Sequence, residues 1–130
     1  MPTNLLLVED NPIIQRMYSR NFELANFQVT TASDGTMGVS TALSLHPDII
    51  VMDVMMPNMN GLEALKLLKE NEQTKAIPVI MLSANEDDNL FKQALDLGAS
   101  RYLLKSSLDP NSIVDMINET IAAATPPASA

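Results

Sequence analysis

The stretch Leu5-Leu6-Leu7-Val8-Glu9-Asp10-Asn11-Pro12 sets the pattern by which the rest of the chain is read. Four apolar residues with no polar alternation are what a strand shows when helices cover both faces of its sheet. Two acids end the run, and Asp10 or Asn11 can cap a helix that carries Pro12 at its first position. Working outward, similar short runs occupy 49–52, 79–82 and 102–104, while 27–32 alternates more, as an edge strand does. Segments of helical period separate them. Ile14, Met17, Tyr18 and Leu24 or Phe22 make one apolar stripe, and Leu62, Leu65 and Leu68 make another after Gly61. Leu90, Phe91, Ala94 and Leu95 mark a helix over 86–97 that Gly98 closes. A last helix starts near Asp109-Pro110 and carries Ile113, Met116, Ile117, Thr120 and Ile121 on one side. Over 34–45, Met37, Val39, Ala42 and Leu43 are set against Gly38 and several Ser and Thr residues, so helix there depends on packing more than on propensity.

Five strand-then-helix units with short connections predict an α/β fold, an open doubly wound five-stranded parallel sheet with five helices. A closed barrel of such units needs more of them. The alternating second strand belongs at an edge, which gives the flavodoxin-like order 2-1-3-4-5. The 130 residues suit one domain, assigned to 4–124, with 125–130 and its Pro126-Pro127 as a frayed tail. A hydrophobic content of 46% supports a core without staples, and the absence of Cys excludes disulfides, thiolate nucleophiles and thiolate metal sites. His46 is the single imidazole, so a metal here must be bound by oxygen. Sixteen acidic residues against eight basic ones give a net charge of -8, which repels a phosphate backbone, and three Phe and two Tyr offer few stacking platforms. No apolar run approaches a signal core or a membrane span. The expectation is a cytoplasmic protein with no direct nucleic-acid binding and no membrane contact.

In open sheets of this kind ligands sit outside the carboxyl ends of the strands, where the strand order reverses, here between the first and third strands. The polar residues at those ends are Glu9, Asp10, Asp53, Ser83 and Lys105. Each has an ordinary reading on its own. Asp10 and Ser83 can be helix caps, and Lys105 can be a surface lysine. Asp53 resists that reading, because Val54-Met55-Met56-Pro57 follows it and no helix begins there. Brought together, the three carboxylates raise one another's pKa unless a cation is present, and a hard divalent ion such as Mg2+ is the natural remedy. Lys105 and Ser83 then face an anion beside that ion. The set suits phosphoryl transfer, with Asp53 as the nucleophile, Glu9 and Asp10 holding the metal, and Lys105 stabilising the phosphoryl oxygens.

The acidic pair Glu9-Asp10, the stretch Ile49-Ile50-Val51-Met52-Asp53-Val54-Met55-Met56-Pro57 with Gly61 beyond it, Leu82-Ser83-Ala84 and Tyr102-Leu103-Leu104-Lys105 fall in this order on consecutive strand ends. In that respect the chain resembles a bacterial-type response-regulator receiver domain, the phosphorylation module of two-component systems, in the manner of a single-domain chemotaxis regulator. The resemblance spans nearly the whole chain. It implies that Asp53 accepts a phosphoryl group from a histidine kinase or a histidine phosphotransfer protein. It also implies that Mg2+ is bound by Asp10, Asp53 and the backbone carbonyl of Met55, with Glu9 acting partly through water. It implies further that Ser83 and Tyr102 form a switch that alters the face of the fourth helix, fifth strand and fifth helix for a downstream protein target, the chain being a monomer or weak dimer.

Two departures from the family pattern stand out. Ser106 follows Lys105 where the family commonly carries Pro, often with a cis peptide, so this bond is expected to be trans. Met55 and Asn85 flank the acceptor at positions that modulate acyl-phosphate lifetime in the family, and an apolar Met55 is expected to shield it from water. Other classes remain open. An aspartate-dependent phosphatase would have a second Asp where Met55 stands, and a flavin protein would want a hydroxyl- and glycine-rich loop where Glu9-Asp10-Asn11-Pro12 repels an anion. Neither a P-loop nor G-x-G-x-x-G is present. A receiver that only scaffolds is a third class. The leading expectation is a signalling module that phosphorylates and dephosphorylates itself but is no turnover enzyme, with no output domain in this chain. It is either a stand-alone regulator or a piece of a longer one.

Overall fold

Each apolar run becomes a strand of one parallel sheet in the computed structural model, which describes residues 3–56, 59–84, 87–105 and 109–124. The elements are β1 (Thr3–Val8), α1 (Pro12–Leu24), β2 (Phe27–Ala32), α2 (Gly35–Leu45), β3 (Ile49–Asp53), α3 (Gly61–Glu70), β4 (Val79–Ser83), α4 (Asp88–Asp96), β5 (Arg101–Leu104) and α5 (Pro110–Ala124). The strand order is β2-β1-β3-β4-β5, as the edge character of β2 predicts. The expected tail at 125–130, Asn85 and the peptide joining Lys105 to Ser106 lie outside the described residues.

Alternation along each strand divides the core in two. Leu6, Val8, Ile50, Met52, Val79 and Met81 pack with Ala42 of α2, Leu62, Leu65 and Leu68 of α3 and Ala94 of α4. Leu5, Leu7, Ile49, Val51, Ile80, Leu82 and Leu103 pack with Tyr18 and Phe22 of α1 and Ile113 and Ile117 of α5. Both faces of the central strands are therefore dry, which is why their sequences read as unbroken apolar runs.

The helices correct several details of the sequence reading. Asn11, not Asp10, caps α1, its side chain accepting from the N–H groups of Ile13 and Ile14. Within the expected α1 stripe, Phe22 is buried whereas Leu24 and Met17 are exposed. α2 packs through Gly35, Gly38 and Ala42 and leaves Met37 exposed. A Cβ on Gly38 would lie 2.9 Å from Val8 Cγ2, so the residue that weakens the helix by propensity is what lets it approach β1. Asp87 caps α4, so Ser83 does not, and Phe91 and Leu95 of that helix are exposed. α3 begins with a reciprocal cap: Asn60 accepts from the Glu63 N–H at 2.9 Å, and the Glu63 carboxylate accepts from the Asn60 N–H.

Gly61 sits where that helix meets the end of β3. Its N–H donates to Val54 O at 2.8 Å, and an added Cβ would collide with the Asp53 carbonyl oxygen and lie 2.9 Å from Val54 Cα. Backbone cannot yield as a flexible side chain does. Gly61→Ala is therefore expected to cost about 2 kcal/mol by overpacking, read as a lower urea midpoint at unchanged slope. An unchanged midpoint would show that the α3 start relaxes freely.

Candidate functional site

Register decides which residues meet at the carboxyl end of the sheet. Val8 pairs with Met52, Asp53 with Leu82, and Ser83 with Leu104. Glu9 thus leaves β1 at the level of Asp53, the last residue of β3, and Lys105 leaves β5 beside Ser83. The Glu9 N–H extends the β1 ladder by one bond, to Ala32 O at 3.0 Å.

The charged side chains converge. One carboxylate oxygen each from Glu9, Asp10 and Asp53 lies within 4.8 Å of the others. Lys105 Nζ donates to Glu9 Oε1 at 2.8 Å and forms an ion pair with Asp53 Oδ2 at 3.0 Å. Glu9 and Asp53 are buried, at 2% and 6% exposure, while Asp10 faces solvent. Burial works against the Lys105 charge, but the hydrogen bond to Glu9 and the proximity of Asp53 outweigh it and hold the ammonium above the usual lysine range. Asp10 is pushed up, first by desolvation of its carboxyl and then by the adjacent Glu9. Three carboxylates against one ammonium leave a surplus of two negative charges in a cleft that is only partly wet.

Around this cluster lie the remaining sequence candidates. Ser83 is fully buried at the end of β4. The Met55 N–H donates to Asp53 Oδ1 at 3.3 Å, and its side chain is 56% exposed, so the expected apolar shield faces water over most of its surface. Tyr102 is half-buried against Phe91, edge to face with ring centroids 5.6 Å apart. Its hydroxyl is buried and has no hydrogen-bond partner among the described residues, unlike the water-exposed hydroxyl usual for a strand tyrosine. Both rings, with Asp87, Asp88 and Leu104, line a cavity of about 220 Å³ between α4 and β5.

Two contributors escape a reading of strand ends. The Asn11 N–H donates to Glu9 Oε2 at 3.1 Å, and Gln15 Nε2 donates to the backbone oxygens of Glu9 at 2.9 Å and Ala32 at 3.3 Å. Gln15 sits in the second turn of α1, where a polar residue beside Arg16 reads as a solvated helix position. Only the fold turns it toward the sheet.

A doubly wound sheet with an acidic crest at its topological switch point, partly neutralised by a lysine from the edge strand, places a ligand site at the carboxyl ends of its strands. The chain belongs to the response regulator receiver domain family, whose model matches residues 5–118. It is a receiver domain of two-component signalling. Among curated proteins it is 38% identical over 101 residues to the DNA-binding dual master transcriptional regulator RpaA of Synechocystis sp., covering 78% of this chain but only 42% of that protein. The chain thus spans less than half the length of that relative. Among solved structures, the Vibrio cholerae chemotaxis protein CheY4 superposes with a TM-score of 0.86 at 28% identity, covering 92% of this chain and 99% of that one. The receiver domain of a sensor histidine kinase from Pseudomonas aeruginosa PAO1, solved with a magnesium ion coordinated in its active-site cleft, gives 0.86 at 27% identity over 94% of this chain and 99% of that one. No helix among the described residues is long and apolar enough to cross a membrane.

Proposed function

We propose that Asp53 is the phosphoacceptor of a Mg2+-dependent phosphorelay step, with a histidine kinase or histidine phosphotransfer protein as donor. The observation that carries this reading is the gathering of Glu9, Asp10 and Asp53 around one lysine that comes from the opposite end of the chain. The donor set fits the ion: all oxygen, densely acidic, and open to solvent at Asp10. Asp10, Asp53 and the Met55 carbonyl would hold it, with Glu9 acting partly through water. When bound, magnesium neutralises the surplus carboxylate charge and that of the incoming phosphoryl oxygens.

In the forward step a carboxylate oxygen of Asp53 attacks phosphorus, the bond from phosphorus to the donor imidazole nitrogen breaks, and an acyl phosphate forms. Lys105, already beside Asp53, stabilises the oxygens as charge accumulates on them. Hydrolysis returns inorganic phosphate and the free carboxylate. Ser83 and Tyr102 carry the consequence outward. A bond from the Ser83 hydroxyl to the phosphoryl group favours one arrangement of the α4 and β5 face over another, and the buried Tyr102 hydroxyl, without a partner among the described residues, gains a reason to move. A downstream protein target reads that face. A cytoplasmic monomer or weak dimer goes with this reading.

The test is incubation with a small phosphodonor and Mg2+, read by intact mass, with Asp53→Asn as the control. Met55 supplies a second expectation. Met55→Glu places a carboxylate near the acyl phosphate and should speed its loss by about tenfold, below the roughly hundredfold of a well-aimed base. Slower decay in the variant than in the parent would show that a carboxylate at position 55 does not assist attack by water.

A further inference from the structure

Every polar atom of Glu9 is engaged. Its N–H donates to Ala32 O, Oε1 accepts from Lys105, Oε2 accepts from the Asn11 N–H, and its carbonyl accepts from Gln15 Nε2 at 2.9 Å. The last bond differs from the others in what it controls. The Glu9 carbonyl and the Asp10 nitrogen share one rigid peptide plane, so holding the carbonyl sets the direction in which Asp10 leaves the sheet. Asp10 is itself exposed.

The same amide reaches Ala32 O at 3.3 Å, which already accepts the Glu9 N–H, so Gln15 clamps the exit of β1 to the end of β2. Its own backbone is held by the helix, its N–H donating to Asn11 O at 2.8 Å. The anchor is therefore a helical turn, a stiffer support than the loop it steadies. An uncharged amide does this without adding to the acidic surplus.

We propose that Gln15 is a positioning residue for the acid pair: by holding the Glu9 carbonyl it orients the Glu9-Asp10 peptide so that Asp10 meets Glu9 and Asp53 in a cation-binding arrangement. This rests on the phosphoacceptor reading and adds a residue outside the acidic and basic set. Outer partners that orient a ligand residue are worth roughly ten- to a hundredfold in metal affinity.

The test compares the parent with Gln15→Met, which keeps length and helix propensity and removes the donor. Mg2+ affinity is read by titration calorimetry, and amide hydrogen exchange at Asp10 and Asn11 is read in metal-free protein. The expected result is Mg2+ binding about tenfold weaker, faster exchange at those two amides, and unchanged exchange in the core of β3 and β4. Equal Mg2+ affinity in the folded variant, or protection lost uniformly across the sheet, would overturn the proposal. Should Gln15→Met fail to fold, Gln15→Asn, one methylene too short to span both carbonyls, provides the same comparison. The phosphoacceptor reading is judged separately, by whether the parent itself binds Mg2+ and is labelled.

Discussion

Asp53→Asn is expected to remove phosphoryl incorporation altogether while leaving a folded protein. The amide keeps the shape of the carboxylate, so the buried site at the end of β3 is not hollowed out. Lys105 retains its bond to Glu9 at 2.8 Å, and no ammonium is stranded. What disappears is the nucleophile, since a neutral amide oxygen is a far weaker nucleophile than a carboxylate and its attack would give a cationic imidate in place of an acyl phosphate. Intact mass after treatment with a small phosphodonor and Mg2+ should show a single added phosphoryl group on the parent and none on the variant. Equal labelling of both proteins would mean that another side chain is the acceptor.

Lys105→Met tests the electrostatics of the same cluster and should be costly to the fold itself. Lys105 is the only cation within ion-pair distance of Glu9 and Asp53 among the described residues, and both carboxylates are almost wholly buried. Removing one member of a buried ion pair leaves its partners charged and unsolvated, so a loss of about 3 kcal/mol is expected in metal-free buffer. Mg2+ should restore part of it, and should stabilise the variant more than the parent because the ammonium no longer competes for the same oxygens. Phosphorylation should slow on the order of a hundredfold, the usual effect of losing one well-placed oxyanion donor. Urea unfolding with and without Mg2+ checks the first two points. If the variant matches the parent in stability, or both gain equally from Mg2+, then the charges are not coupled as the geometry indicates.

The site on which these expectations rest is partly legible in the sequence. Strands announced themselves because the central ones are covered on both sides, so 5–8, 49–52 and 79–82 carry no polar alternation. Strand ends announced themselves because the first polar residue after each run was a carboxylate, a hydroxyl or an ammonium. Helix faces were less readable. Phe91 and Leu95 lie at helical spacing with Leu90 and Ala94, yet Ala94 is buried while Phe91 and Leu95 stay outside. Periodicity reports that a stripe exists but not how wide a neighbour covers it. The leucines at 62, 65 and 68 place α3 after Gly61, one residue from its observed start, but leave its cap, Asn60 with Glu63 three residues on, unmarked.

Gln15 and Gly61 mark the limit of that approach. Nothing in the neighbours of Gln15 distinguishes it from a solvated helix residue, because its partners, the carbonyls of Glu9 and Ala32, are backbone atoms that any sequence would supply. Gly61 matters through the closeness of the Asp53 carbonyl, a separation set by how α3 docks.

What the linear chain determined alone was the architecture and the inventory: a parallel doubly wound sheet, its strand order, and the acids, hydroxyl and lysine at the strand ends. Hydrophobic period and strand-end chemistry are local properties, readable within a few residues. Pairing and support were settled by the folded arrangement of the elements. Helices α1 and α5 share one face and α2, α3 and α4 the other, Lys105 bridges Glu9 to Asp53, and Gln15 clamps the acid pair from outside the charged set. Those depend on register and helix docking, which are fixed by contacts between residues as much as 96 positions apart and leave no mark on any short stretch of sequence.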